Sequence, residues 1–437
     1  MKIMRFITTV ISILCAVSLS AQVQYSFEGD KGVGKEPARR QTLPYNKTRV
    51  VAGDKDEYAY IAIPTAWQIA KSEGETVYDS QFTMPVSWLN RQVLLRVGRS
   101  SSAFGVVVNG KRVGYAPSGA VGAEFNLTKY VQKGRNALQI ILDDDARVNE
   151  IFTSLPSGIA DVKVICQPTI RVRDILCKTT LESDGNSAAD IGIVVKCNAL
   201  GEKRARIEYA LRFRDSVIVA DGYRDIRLDM LREDTVHIRA IVPKEALWSA
   251  ANPNLLSLGI INRIDGRIAE SISRDVGVRT VEIRNDALYI NGRIAPLRLA
   301  DYNSDIELQH FKASGFNGII AANGMVPSGF YDECDRLGIY VVSAAAIDTA
   351  SFSDSVKRDG NPCNMPEWHD TFLSRNEENC LVMRSHPSVV GYIIGRGKGT
   401  GINVYESYLL MKRLEPNMPV IYEAANGEWC TDKIKLR

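Results

Sequence analysis

The chain has 437 residues, 45% of them hydrophobic and 24% charged, with a formal net charge of +3. That length suffices for two or three domains with cores of their own. The near-balanced charge excludes a disordered chain and argues against a nucleic-acid partner.

Residues 1–21 read as an export signal, which places the protein in the periplasm or at the cell surface. Lys2 and Arg5 form a basic start, Ile7 to Leu19 is mostly apolar, and Leu19-Ser20-Ala21 before Gln22 is a small-residue cleavage site. The apolar run is too short to span a bilayer as a mature helix, and no other segment comes close. Cys15 lies inside the signal, and Leu14 before it is not the small residue that lipidation requires. Residues 22–55 are a polar lead-in.

From 56 to 166 apolar and polar residues alternate in short runs, as in Gln92 to Val97 and Phe104 to Val108. The Asn109-Gly110 dipeptide is a strong hairpin signal. Residues 167–277 repeat the style, so two antiparallel sandwiches are expected. After Asn291-Gly292 the period changes. Strands are expected at Leu297–Ala300, Phe316–Ala322, Ile339–Ile347, Val389–Ile394 and Pro419–Glu423. Helices are expected at Asp305–Ala313, Pro327–Leu337, Glu367–Arg384 and Val404–Leu414. That alternation predicts parallel βαβ units from 278 to 437, five strands in all.

Seven cysteines follow the signal with no CxxC pair or metal spacing, so neither a metal nor another cofactor is expected. An odd count leaves at least one free thiol. A bridge from Cys166 to Cys177 or Cys197 competes with the simpler reading of buried free cysteines.

Several long motifs resemble glycoside hydrolase family 2, the β-galactosidase and β-glucuronidase group. In the first domain these are Pro64-Thr65-Ala66-Trp67, Tyr78, Phe82 to Pro85, Val108-Asn109-Gly110 and Phe125 to Tyr130. At the junction they are Leu247 to Leu255, Gly277 to Ile283 and Ile290-Asn291-Gly292, and in the third domain Tyr331 to Asp335 with Leu337 to Val342. The resemblance implies a jelly-roll sugar-binding domain, an immunoglobulin-like sandwich, then a (β/α)8 TIM barrel, here incomplete at about five βα units. Carbohydrate is the ligand it implies.

The same resemblance shows what is missing. The family's Asn-Glu pair, whose glutamate is the general acid, falls at Arg396-Gly397. Its acidic segment after the third strand falls at Ser343 to Ala346, with Asp348 nearby. Its Arg and His after the second strand fall at Ile320 and Asn323. Its nucleophile belongs on a seventh strand, whereas this sequence stops at Arg437. A retaining glycosidase needs two carboxyl groups roughly 5–5.5 Å apart, and the general acid alone is worth on the order of 10²–10⁴ in rate. The expectation is therefore a non-catalytic carbohydrate-binding or structural protein. The alternatives are a shortened or split β-galactosidase-like enzyme and a cell-surface assembly component.

Ligand-binding candidates at the barrel mouth are Arg298, Asp301, Asp348, Arg396, Lys398, Glu423, Glu428 and Trp429. A solvated basic loop is the plain alternative for Arg396 and Lys398, and a rim salt bridge for Arg298 and Asp301. Trp67 is expected in the core, and His386-Pro387 as a helix terminator. Five parallel strands leave two open edges, so either the sandwiches, a second copy or a partner chain covers them or this region is only marginally stable.

Overall fold

The computed structural model describes residues 32–44, 60–62, 66–151, 155–214, 217–354, 357, 360–425 and 427–434. The export signal expected at 1–21 lies outside them, as does much of the lead-in.

The first unit contains β1 (Tyr60–Ala62), β2 (Gln68–Ser72), β3 (Glu75–Met84), β4 (Gln92–Ser100), β5 (Ala103–Val108), β6 (Lys111–Ala116), β7 (Ala123–Asn126), β8 (Gly134–Asp143) and β9 (Ile159–Gln167). They form two antiparallel sheets, ordered β2-β3-β8-β5-β6 and β1-β9-β4-β7. Asn109 and Gly110 close the β5–β6 hairpin with φ of 50° and 73°, the left-handed pair that a two-residue turn requires. Phe104 on one sheet meets Phe125 on the other edge-on at 6.0 Å, at the centre of a core that excludes water. Trp67 is half-buried at the margin of this core, edge-on to Tyr78.

The second unit contains β10 (Ile170–Leu181), β11 (Ser187–Cys197), β12 (Lys203–Phe213), β13 (Val217–Leu228), β14 (Glu233–Val242), β15 (Leu256–Ile264) and β16 (Arg267–Val276). Sheets β10-β11-β14 and β13-β12-β15-β16 face each other. Alternate residues such as Ile191, Ile193, Val195, Ile207 and Leu258 fill the space between them. All seven described cysteines are free thiols and six are buried, so the bridges weighed for Cys166 do not form.

A small meander, β17 (Val281–Arg284), β18 (Ala287–Ile290) and β19 (Arg293–Ile294), leads into the third unit. There β20 (Leu299–Asp301), β21 (Gly318–Ala322), β22 (Tyr340–Ala344), β23 (Val389–Ile393) and β24 (Val420–Ile421) form a five-stranded parallel sheet in sequential order. The helices α1 (Phe330–Leu337), α2 (His369–Met383) and α3 (Ile402–Leu414) connect its later strands. The helix expected at Asp305–Ala313 does not form; turns and a short 3₁₀ segment, Phe311–Ser314, take its place. Phe311 is the one buried residue there, too small an apolar face to offset the cost of nucleating a helix. Among the described residues no helix is long and apolar enough to cross a membrane.

Trp248 anchors the junction. It is fully buried, stands edge-on to Tyr340 at 6.0 Å and donates its indole N–H to the Asp335 carbonyl at 2.7 Å. The edge of β24 is met by the chain's own Thr431–Asp432 rather than by a sandwich. Asp432 N–H donates to the Val420 carbonyl, and the Asp432 carboxylate accepts from Val420 N–H, both at 2.8 Å.

The described part of the lead-in is a strap that touches all three units, which its polar composition did not reveal. Arg39 donates to Glu124 on β7 at 2.8 Å and also to the Arg173 carbonyl on β10. Glu36 accepts from Arg171 at 3.2 Å and from Lys196 at 3.0 Å. Arg40 bonds Asp332 on α1 and the Ser385 carbonyl, and Lys35 bonds Glu378 on α2. Burial opposes ionisation of Glu124, but Arg39, Arg171 and Arg96 more than offset it and hold its carboxyl below the usual range. Burial pulls the Arg171 guanidinium down to about 10, still charged at neutral pH.

Candidate functional site at the C-terminal ends of the parallel strands

Parallel strands deliver all their C-terminal ends to one side of the sheet, and in α/β folds ligands bind there. The inward face of the strands is apolar: Leu299, Ile320, Val342, Ile393 and Ile421 are each no more than 5% exposed. Asp301, Asp348, the 395–401 loop and residues 423–429 follow the strand ends.

The glycine-rich loop after β23 is held rigidly. Its first residues continue the parallel pairing beyond the strands: Arg396 N–H donates to the Ile347 carbonyl, and Thr349 N–H to the Arg396 carbonyl, each at 2.9 Å. Thr349 then clamps the next residue twice. Its hydroxyl donates to the Lys398 carbonyl at 2.8 Å and accepts from Lys398 N–H at 3.0 Å. Asn361 donates to the same carbonyl at 3.1 Å, Gly399 N–H donates to Asp354 at 3.0 Å, and Tyr422 O–H donates to the Gly399 carbonyl at 2.6 Å.

Gly397 lies inside this clamp with φ of 111°, a conformation that side-chain-bearing residues rarely adopt. A Cβ there would lie 2.4 Å from the Ala350 nitrogen and 2.6 Å from the Thr349 carbonyl carbon and hydroxyl. Real Cβ atoms do not approach backbone that closely. Position 397 therefore excludes every side chain, not glutamate alone.

The remaining carboxylates of the mouth have structural partners. Asp301 accepts from Arg396 at 2.8 Å, Asp348 accepts from Ala350 N–H at 2.8 Å, and Asp354 takes Gly399 N–H. Asn323 follows the C-terminal end of β21 but is 2% exposed, and it accepts from Tyr331 O–H and Ser343 O–H. Lys398 projects an exposed side chain. Trp429, 55% exposed, stacks on Tyr405 at 4.8 Å with Tyr408 edge-on, and Glu428 hydrogen-bonds Tyr405. Burial, then Glu428, pushes the Tyr405 hydroxyl pKa up. Glu423 is exposed two residues after β24 ends.

Arg298 requires correction. It precedes β20 rather than following it, and its guanidinium donates to the Gly315 carbonyl at 2.6 Å, just before β21 begins. It therefore sits at the opposite end of the sheet from Asp301. The strand expected at Leu297–Ala300 included Arg298, whereas β20 begins only at Leu299 and leaves this side chain before the strand.

Asp332, Asp335 and His386 are the cluster of metal-ligating type among the described residues. They do not fit a cation, because Arg40 bonds Asp332 and lies 3.9 Å from Asp335. His386 instead donates to Asp335 at 2.7 Å as it ends the segment after α2. Thr349, Asn361 and Tyr422, which lock the Gly397 loop, carry no sequence pattern that would single them out.

Two sandwiches followed by a parallel α/β sheet, with its loops gathered at the strand ends, make a modular multidomain architecture. The description "Glycosyl hydrolases family 2, TIM barrel domain" matches residues 281–436, and "Glycosyl hydrolases family 2, sugar binding domain" matches residues 47–147. With more than half of its length matched, the chain belongs to glycoside hydrolase family 2. A curated β-galactosidase of Psychromonas ingrahamii is 26% identical over 418 residues, covering 89% of this chain and 39% of its own length. One from Pectobacterium atrosepticum is 25% identical over 426 residues, covering 86% and 40%. This sequence thus spans about two fifths of those relatives. The crystal structure of a Bacteroides uniformis β-glucuronidase shares the fold, with a TM-score of 0.67 at 17% identity over 80% of this chain and 46% of that one.

Proposed function

We propose that this chain is a carbohydrate-binding member of glycoside hydrolase family 2 that does not turn substrate over through its own mouth residues. One observation carries the reading: Gly397, where the family resemblance expects the general acid, has a backbone conformation and a packing environment that admit no side chain. A family-type retaining mechanism needs a carboxylic acid there to protonate the leaving oxygen. Asp301 and Asp348 do not replace it, since one is engaged by Arg396 and the other by a backbone N–H. What the chain offers a sugar is the match to the family's sugar-binding domain and the exposed Trp429, stacked on Tyr405, which Glu428 hydrogen-bonds. On this reading 56–166 is a jelly roll, 167–277 an immunoglobulin-like sandwich and 278–437 barrel, exported behind the signal at 1–21.

A second reading is favoured by the two curated relatives, both β-galactosidases that align across most of this chain. It makes the chain the sugar-positioning portion of a β-galactosidase-like enzyme. Incubation of this chain with aryl β-galactoside and β-glucuronide, alongside a glycan array, separates the two. Glycan binding without hydrolysis supports the proposal. Hydrolysis by this chain overturns it, and an array with no hits removes the binding role.

A further inference from the structure

The outer face of the β13-β12-β15 sheet, far in sequence from the strand-end loops, carries an arginine arrangement that costs the fold stability. Arg204 on β12 lies directly opposite Arg227 on β13, and Arg206 on β12 lies directly opposite Arg263 on β15. Like charges directly opposed across strands are destabilising, and here two such pairs stand within three residues of each other. These four guanidiniums, with Asp225 and Asp265, line a groove of about 580 Å³.

Three of the four arginines have an acidic partner. Asp225 takes Arg206 in a two-pronged bond of 2.7 and 2.9 Å, Glu208 takes Arg263 at 2.7 Å, and Glu202 takes Arg227. Arg204 has no side-chain partner among the described residues. The Arg206–Asp225 and Arg227–Glu202 pairs are exposed and contribute little, so a ligand anion displaces them at little cost, while Arg263 and Glu208 are half-buried. Tyr223, 54% exposed, lies under the Arg206 guanidinium at 4.2 Å, next to the groove rather than in its lining.

We propose that this groove binds an acidic glycan, its carboxylate or sulfate held by Arg204 with Arg263 or Arg227 and its hydroxyls donating to Asp225 and Asp265. The mixture of charges decides the ligand class. Carboxylates and sulfates suit the arginine fork. Sugar hydroxyls supply the donors that interleaved aspartates need, whereas a phosphodiester backbone supplies none and would be repelled by them. This deepens the carbohydrate-binding reading and rests on it for the class of ligand, but it uses a site separate from the strand-end loops.

The test is isothermal titration of the full chain and of the Arg204→Ala/Arg263→Ala variant with oligogalacturonate, a heparin oligosaccharide and a neutral galactan. The proposal expects the wild type to bind at least one acidic glycan, with affinity that falls as salt rises, and the variant to bind it roughly tenfold or more weakly. Oligogalacturonate alone would identify a carboxylate ligand, and heparin alone a sulfate. The variant relieves both arginine oppositions, so its melting midpoint should not fall, which separates lost binding from lost folding. Equal binding by variant and wild type overturns the groove while leaving the carbohydrate reading intact, as does binding of the galactan alone. Failure to bind any glycan overturns both.

Discussion

Gly397→Glu puts a glutamate where the family resemblance expects the general acid, and it should fail to confer activity while destabilising the third unit. The φ of 111° must either be kept, at a cost of about 1–3 kcal/mol for a residue with a Cβ, or be abandoned. Keeping it places the Cβ 2.4 Å from the Ala350 nitrogen, and forcing atoms into a packed site costs a further ~1–3 kcal/mol. Abandoning it breaks the bonds that Thr349 and Asn361 make to Lys398. Either route predicts a loss on the order of 2–6 kcal/mol, and each kcal/mol lowers the midpoint by about 2–4 °C for a cooperative unit of 150–250 residues. Differential scanning calorimetry and aryl β-galactoside hydrolysis are read on the same preparation. Gly397→Ala serves as the control, since it carries the steric cost without the carboxyl. A Gly397→Glu variant that melts with the wild type and hydrolyses the substrate would refute the reasoning, because the loop would then be plastic and the missing glutamate a simple substitution.

Other consequences follow from the same contacts. Glu124→Ala leaves the buried Arg39 and Arg171 without their shared carboxylate and should cost about 3–5 kcal/mol in denaturant unfolding; a loss under 1 kcal/mol would show that the strap does not bind the units together. Trp248→Ala empties the junction core and should cost about 3–5 kcal/mol, with tryptophan emission before and after unfolding reporting the loss of its buried signal. Arg396→Ala breaks a half-exposed pair with Asp301 and should change stability by less than about 1 kcal/mol, and a larger change would assign that pair a structural role. Burial, and then Arg40, pull the His386 pKa below its ordinary value, so the folded state prefers the neutral ring. The unfolded chain then binds the extra proton, and stability present above pH ~6.5 should decline as pH falls below it. Asp335 acts in the same direction at lower pH: burial opposes its ionisation, but His386 and Arg40 hold its pKa down. His386→Gln should flatten the melting midpoint between pH 7 and 5, and an unchanged slope would exclude this histidine as the cause.

Much of the fold is legible in the sequence because local pattern and tertiary role agree there. Asn109-Gly110 permits little but a tight hairpin, and alternation such as Ile191-Ile193-Val195 needs only a sheet with one buried face. The five parallel strands follow from apolar runs separated by helical periods. The Asp305–Ala313 stretch misled because its residues allow a helix that no packing surface stabilises. The site was legible only in part. Gly397 and its charged neighbours mark the strand-end loop, and Asp301 meets Arg396 there. Arg298 was assigned to the same rim from strand limits two residues out, an error that periodicity cannot correct.

By itself the sequence determines the order of sheets and helices, the family resemblance and the absence of glutamate at position 397, since each depends on residue identity or short-range spacing. Tertiary structure decides the rest. Only the packing of Thr349, Ala350 and Asn361 around residue 397 turns a missing carboxylate into a position closed to any side chain. Only the docking of residues 32–44 turns a polar lead-in into a strap of buried charges. These outcomes depend on atoms brought together across tens to hundreds of residues, and no local pattern records which charged side chain will meet its partner.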